Sequence, residues 1–331
     1  MIFTGFFILF ILMIKEGSEY QAPKFLFNKH LETIYPALFR KVDLAAYKRE
    51  RIELQDQDFL DLDWLVQSSE KLVILCHGLE GNSTRHYIKG MAKVFYEHDY
   101  DILALNYRGC SGESNRLNRF YNSGSTEDLD EVLQHVLKTR SYKKIFLIGF
   151  SLGGNLILKF LGEGKYSSAK RIQGAVAFST PVDLYNSCLE LLKASNKMYN
   201  QYFLRSLKKK IREKASQNGN LDLKGLKHIK SLIDFDDYYT APLHGYRDAR
   251  HYYSECNALQ FLEHIQTPSL LVNAMNDPFL SETCYPTKAF KKHSWLTIET
   301  PQQGGHVGFT KFNRNNLFWS EERAFNFINL L

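Results

Sequence analysis

Cysteine is scarce in this chain: five in 331 residues, with no C-x-x-C spacing and an odd total. Cys76, Cys110, Cys188, Cys256 and Cys284 therefore form neither an expected disulfide framework nor an expected zinc site. A reducing, cytoplasmic setting fits that usage. Cys76 closes an apolar stretch and reads as a small core residue. No tract rich in Pro, Ser or Gly divides the chain, so one domain carrying an insertion is expected rather than two linked domains. Internal repeats, low-complexity tracts and nucleic-acid-binding motifs are missing too. Histidines and acids lack ligand spacing, so neither a metal nor an organic cofactor is expected. Charge is unexceptional at a net +6. The one basic cluster is Arg205, Lys208, Lys209, Lys210, Arg212 and Lys214. It reads as a solvated helix face, ahead of a membrane-surface or anionic-substrate role.

Residues Met1 to Ile14 are almost wholly apolar. The run is short of the roughly 20 residues that a membrane span needs. It also lacks the basic leader and small-residue cleavage site of a secretory signal. The expectation is a translation start at Met13, with residues 1–22 an extension and 23–331 the folded domain. If residues 1–14 are made, they offer a membrane contact.

Alternating strand-like and helix-like stretches begin near residue 50. Residues 51–54 and 62–66 read as an antiparallel pair, and 71–76 as a buried strand. Residues 87–98 show helical spacing of Ile88, Met91, Ala92 and Phe95. Further strands are expected at 101–105, 145–150, 172–178, 269–273 and 295–298. Ser125 is the expected N-cap of a helix with Glu127 and Asp128 in its first turn. A last helix is expected from about Asn315. Such alternation implies a mostly parallel sheet with helices on both faces. It breaks from about Leu184 to His264, a helical, basic, tyrosine-rich stretch that reads as a cap over the C-terminal strand ends.

The most informative segment is Gly149-Phe-Ser-Leu-Gly153, a G-x-S-x-G between an apolar strand and an amphipathic helix. A turn this sharp strains the serine backbone, and its glycines leave room for strand and helix to approach. The Ser151 hydroxyl then stands clear of the sheet, with a helix N-terminus behind it. A serine nucleophile needs a base, and the base needs an orienting acid. In this fold class they follow in the order serine, acid, histidine. Asp277 comes just past the strand 269–273 and before Pro278, a position that points into the crevice. Its neighbour Asn276 is uncharged. Of the two later histidines, His293 precedes the final strand and reads as a surface residue. His306 follows that strand on a glycine-rich loop and is the expected base. The backbone N–H groups of Leu79, in His77-Gly-Leu-Glu-Gly81, and of Leu152 are the expected oxyanion donors.

Six motifs occur in one order: His77-Gly-Leu-Glu-Gly81, Asn106-Tyr-Arg-Gly-Cys-Ser-Gly112, Gly149-Phe-Ser-Leu-Gly-Gly-Asn155, Phe235-Asp-Asp237 with Ala241-Pro-Leu-His-Gly245, Asn276-Asp-Pro-Phe279 and Gly304-Gly-His-Val-Gly-Phe309. Together they resemble the YheT-like branch of the α/β-hydrolases, the AB hydrolase 4 family, over about Pro23 to Phe309. The opening Phe27-Asn-Lys-His-Leu-Glu-Thr-Ile34 is similar to how these proteins begin. Two departures stand out: Asn276 replaces a second aspartate found in many members, and Tyr121-Asn-Ser-Gly124 replaces Tyr-His-Ser-Gly. The resemblance implies an α/β-hydrolase fold and a serine hydrolase of carboxylic esters, with a charge-relay system at Ser151, Asp277 and His306. Cap residues Tyr199, Tyr202, Phe203, Tyr238, Tyr239, Tyr252 and Tyr253 are candidates for an acyl pocket. Such a wall suits short or medium acyl esters or monoacylglycerols, small-molecule or lipid substrates. Acyl transfer or thioester hydrolysis would use the same three residues, and a non-catalytic binding protein would keep the fold alone.

Overall fold

Paired charges explain why the first two strands tolerate acids in a buried setting. In the computed structural model, which describes residues 20–218 and 221–331, helix α1 (Lys29–Phe39) precedes β1 (Lys48–Glu53) and β2 (Phe59–Leu65). The apolar opening stretch and the start expected at Met13 lie outside the described residues. All seven residues of β2 are buried. Its Asp61 and Asp63 stand opposite Arg51 and Arg49 of antiparallel β1 and accept bidentate bonds at 2.7–2.9 Å. Leu60, Leu62 and Trp64 turn to the other face and join the core.

The remaining strands are β3 (Lys71–Cys76), β4 (Asp101–Asn106), β5 (Lys144–Phe150), β6 (Ile172–Phe178), β7 (Ser269–Val272) and β8 (Leu296–Glu299). They form one sheet in the order β1-β2-β4-β3-β5-β6-β7-β8, parallel from β4 onward. Side chains alternate between two cores, as a period of two requires. Leu72, Ile74, Leu103 and Leu147 face α3 (Thr126–Thr139) and α4 (Leu152–Gly162). Val73, Leu75, Ile102 and Ile148 face α2 (His86–Tyr96) and the C-terminal helix Trp319–Ile328.

One expected helix start holds and one is corrected. Ser125 is the N-cap residue of α3, although its side chain makes no capping bond and its Oγ accepts the Asn122 N–H. The last helix begins at Trp319, not near 315. Asn313 Oδ1 accepts the N–H groups of Asn315 and Leu317 and holds that stretch in a turn.

Between β6 and β7 the chain enters helices: α5 (Leu184–Leu192), α6 (Lys197–Asn218), α7 (residues 232–243) and α8 (Ala249–Cys256). The inserted helical region runs from residue 194 to 264 and has apolar clusters of its own. Its basic cluster is not simply a solvated face. Lys214 is fully buried against the Asn115 carbonyl, Lys208 donates to Ile229 O, and Lys210 reaches Glu80 at 2.8 Å. These ammonium groups fasten α6, and the long aliphatic stems fill the space between layers. No helix among the described residues is long and apolar enough to cross a membrane.

Candidate active site

Ser151 sits where β5 turns into α4, and its backbone is forced to φ 53°, ψ −120°. Its N–H donates to Phe178 O on the neighbouring strand at 2.9 Å, which helps to hold the strained turn. The flanking glycines are required by space. A Cβ on Gly149 would lie 2.4 Å from Gly153 O, and one on Gly153 would lie 2.3 Å from Cys76 O. Strand and helix therefore meet backbone to backbone.

The structure brings Ser151, His306 and Asp277 into one chain of hydrogen bonds. His306 Nε2 is 3.0 Å from Ser151 Oγ, and Nδ1 is 2.9 Å and 3.1 Å from the two Asp277 oxygens. An ionised carboxylate only accepts, so Nδ1 donates and Nε2 is left to accept from the serine hydroxyl. The Asp277 side chain is wholly buried, and its Oδ1 also accepts the Phe279 N–H. The Phe279 ring lies 4.0 Å, centroid to centroid, from the imidazole. His293, in contrast, is half-buried and receives the Trp295 and Leu296 N–H groups, which sets the entry to β8.

The loop bearing His306 is under backbone constraint: Gly304, Gly305, Val307 and Phe309 all have positive φ. It is held by residues to which the sequence reading gave no part in the site. Glu32, on α1, accepts the Gly304 N–H at 2.5 Å, and Thr33 Oγ1 accepts the His306 N–H at 2.9 Å. Asn276 Oδ1 accepts the Gly305 N–H, while its Nδ2 donates to Glu32. Ser179 Oγ takes the Val307 N–H. Glu32 is almost completely buried, and that burial pushes its carboxyl above the usual range. The available signal was the run Asn28-Lys-His-Leu-Glu-Thr33, whose Asn28 caps α1.

The loop after β3 abuts the serine: a Cβ on Gly78 would lie 3.2 Å from Ser151 Cβ. Leu79 and Leu152 border the same cavity as Ser151 and His306. Glu80, at φ 55°, is fixed by Tyr121, whose hydroxyl receives its N–H, and by Lys210 from the cap. His77 is fully buried; its Nδ1 donates to Gly78 O and its Nε2 accepts the Tyr107 N–H. It shapes this loop in the neutral form.

Burial lowers His77 and His86 to about 3 and His244 to about 4. Once unfolded, each imidazole titrates near 6.5. The unfolded chain therefore binds more protons below that pH, and stability present above it is lost as pH falls toward 4. Each such group adds about 1.4 kcal/mol per pH unit to the slope in this window. Thermal melts between pH 7.5 and 4.5 are expected to show a steep fall in Tm. Substituting His86, away from the serine, is expected to flatten it.

The cavity over Ser151 has a volume of about 1030 Å³, its open mouth included. Of the seven cap aromatics named as candidates for the acyl pocket, some of which are expected to line it, Phe203, Tyr252 and Tyr253 do. Tyr199 packs on Phe279 and bonds His30, Tyr239 is buried against the cap, and Tyr202 and Tyr238 are exposed. Packing against Phe279 and His30 claims Tyr199, packing within the cap claims Tyr239, and solvent the others.

A profile described as "alpha/beta hydrolase fold" matches residues 71–310. YheT of Escherichia coli (strain K12) is 34% identical over 85% of this chain and 84% of its own length. Phospholipase ABHD3 of Mus musculus is 28% identical over 80% of this chain and 67% of its own. Monoacylglycerol lipase of Saccharomyces cerevisiae is 27% identical over 79% and 60%, respectively. Among solved structures, the Pyrococcus furiosus esterase Pf2001 superposes with a TM-score of 0.59 at 19% identity, over 86% of this chain and 90% of that one. That last likeness is one of fold.

Proposed function

Since the chain belongs to the alpha/beta hydrolase fold family, we propose that it is a serine hydrolase of carboxylic esters that works through an acyl-enzyme. The observation that carries this reading is the run of hydrogen bonds from Ser151 Oγ through His306 to buried Asp277. As Ser151 Oγ attacks the ester carbonyl, its proton passes to His306 Nε2, and Asp277 stabilises the resulting imidazolium. The carbonyl oxygen becomes an oxyanion within reach of the Leu79 and Leu152 N–H groups. His306 then protonates the departing alcohol, and a water that gives its proton to the same nitrogen releases the acid.

The mostly apolar cavity wall, with Leu152, Leu191, Phe203 and Phe235, supports short- or medium-chain acyl esters or monoacylglycerols as substrates. The relatives named for monoacylglycerol lipase and phospholipase activity support a lipid-like ester as well. A fluorophosphonate probe is expected to label the folded protein at Ser151. The p-nitrophenyl esters, graded by chain length, are expected to show a maximum at short or medium acyl chains. Absence of labelling on the folded protein, or a preference for peptides or phosphoesters, refutes the reading.

A further inference from the structure

The motif Phe235-Asp-Asp237 plays no part in the chemistry above, yet it supplies the least expected group in the cavity wall. Its two aspartates have separate tasks. Asp237 is exposed and accepts the Ala249 N–H, which fixes the start of α8. Asp236 instead faces the cavity that holds Ser151. It opens a π-turn, Asp236–Thr240, within α7, a local widening of the helix that is often found at functional sites. One carboxylate oxygen accepts from Thr240 Oγ1 at 2.5 Å and the other from the Tyr253 hydroxyl at 2.6 Å. Two of about four acceptor positions are therefore filled. No Lys, Arg or His forms an ion pair with Asp236 among the described residues.

Resting on the ester-hydrolase reading, we propose that Asp236 is the acceptor of a recognition subsite for an uncharged hydroxyl group carried by the ester away from its scissile carbonyl. A carboxylate that lines the cavity with two acceptor positions already filled is a costly group to cover. A plain alkyl chain laid over it strips its water and returns nothing. A hydroxyl in the same place makes a charge-assisted hydrogen bond. Other polar groups nearby are already engaged. His244 Nδ1 accepts from Asn122 Nδ2, and the Tyr252 hydroxyl accepts the Ser123 N–H. Burial and the positive charge of Arg119 both disfavour a cation at His244, so a neutral donor suits this end of the cavity better than an ammonium. The same wall carries Phe235, Leu191 and Leu152, an apolar surface for the methylenes of the chain.

The test compares p-nitrophenyl alkanoates of four to ten carbons with their ω-hydroxy counterparts at pH 8. At one chain length the hydroxy ester is expected to win by about tenfold or more in kcat/KM, the size of a hydrogen bond to a charged acceptor. Asp236→Asn is expected to bring that ratio within about twofold of unity, by slowing the hydroxy ester and, since the desolvated charge is gone, speeding the plain one. Asp236→Glu, which advances the acceptor by one methylene, is expected to move the optimum to a shorter chain. Tyr253→Phe, which removes an internal bond only, is expected to keep the preference. A ratio near one at every length, equal losses on both esters in Asp236→Asn, or a stronger preference for an ω-ammonium ester overturns the proposal. If neither ester is turned over, thermal shifts with α,ω-diols and matching alkanols take their place. A diol-specific shift that Asp236→Asn abolishes upholds the subsite while the hydrolase reading fails; no such shift overturns the subsite too.

Discussion

Ser151→Ala, His306→Ala and the double substitution are each expected to lower kcat on a p-nitrophenyl ester by about 10⁴- to 10⁶-fold, with the double no worse than either single. The reason lies in the geometry: among the described residues, Nε2 at 3.0 Å from Oγ has no other hydrogen-bond partner, and the hydroxyl has no other base. Once one member is lost, the partner has nothing left to contribute. Asp277→Asn should fall by about 10⁴-fold, because an amide offered to Nδ1 favours the wrong tautomer and leaves the serine hydroxyl facing a donor. Steady-state kinetics with a matching thermal melt checks each variant. Multiplicative losses would mean that Ser151 and His306 act independently, against the relay.

Glu32→Gln is expected to lower kcat by about ten- to a hundredfold with little change in KM, although Glu32 touches no substrate. The glutamate accepts from Gly304 N and from Asn276 Nδ2 at once. A glutamine must turn its NH₂ toward one of these donors. If Asn276 flips to relieve that contact, it gives up the Gly305 N–H instead. Either way the His306 loop loses a tether, and a shift of about 1 Å at the imidazole costs that much. Pairing Glu32→Gln with Asn276→Asp restores a full set of donors and acceptors, so the double variant is expected to recover most of the activity. Equal kcat in Glu32→Gln and wild type would remove Glu32 from the positioning of His306.

The parallel strands could be read from the sequence because strands buried on both faces leave unbroken apolar runs, as in Leu72–Cys76 and Ile145–Ile148. Ser151, Asp277 and His306 stood out because topology filters candidates by chain order and strand end, and the fold places those three within hydrogen-bond reach of one another. Other features depend on partners far away in the sequence. Lys214 looks like a surface lysine until its buried contact with Asn115 O is known. Tyr199 and Tyr239 resemble pocket residues, but Tyr199 is taken up by Phe279 and His30 and Tyr239 by packing within the cap. The run that holds Glu32 and Thr33 stands out as a motif, but its partners, 272 and 273 positions on, are not legible from it.

Glu32 and Gly304 stand 272 positions apart, and Thr33 and His306 stand 273 apart. Contacts of that span close late, since the loop entropy is lost before the contact gives anything back. On the ribosome, a growing chain could assemble most of its sheet while still inert. Mild denaturant should show the reverse order, with turnover fading before the far-ultraviolet signal moves.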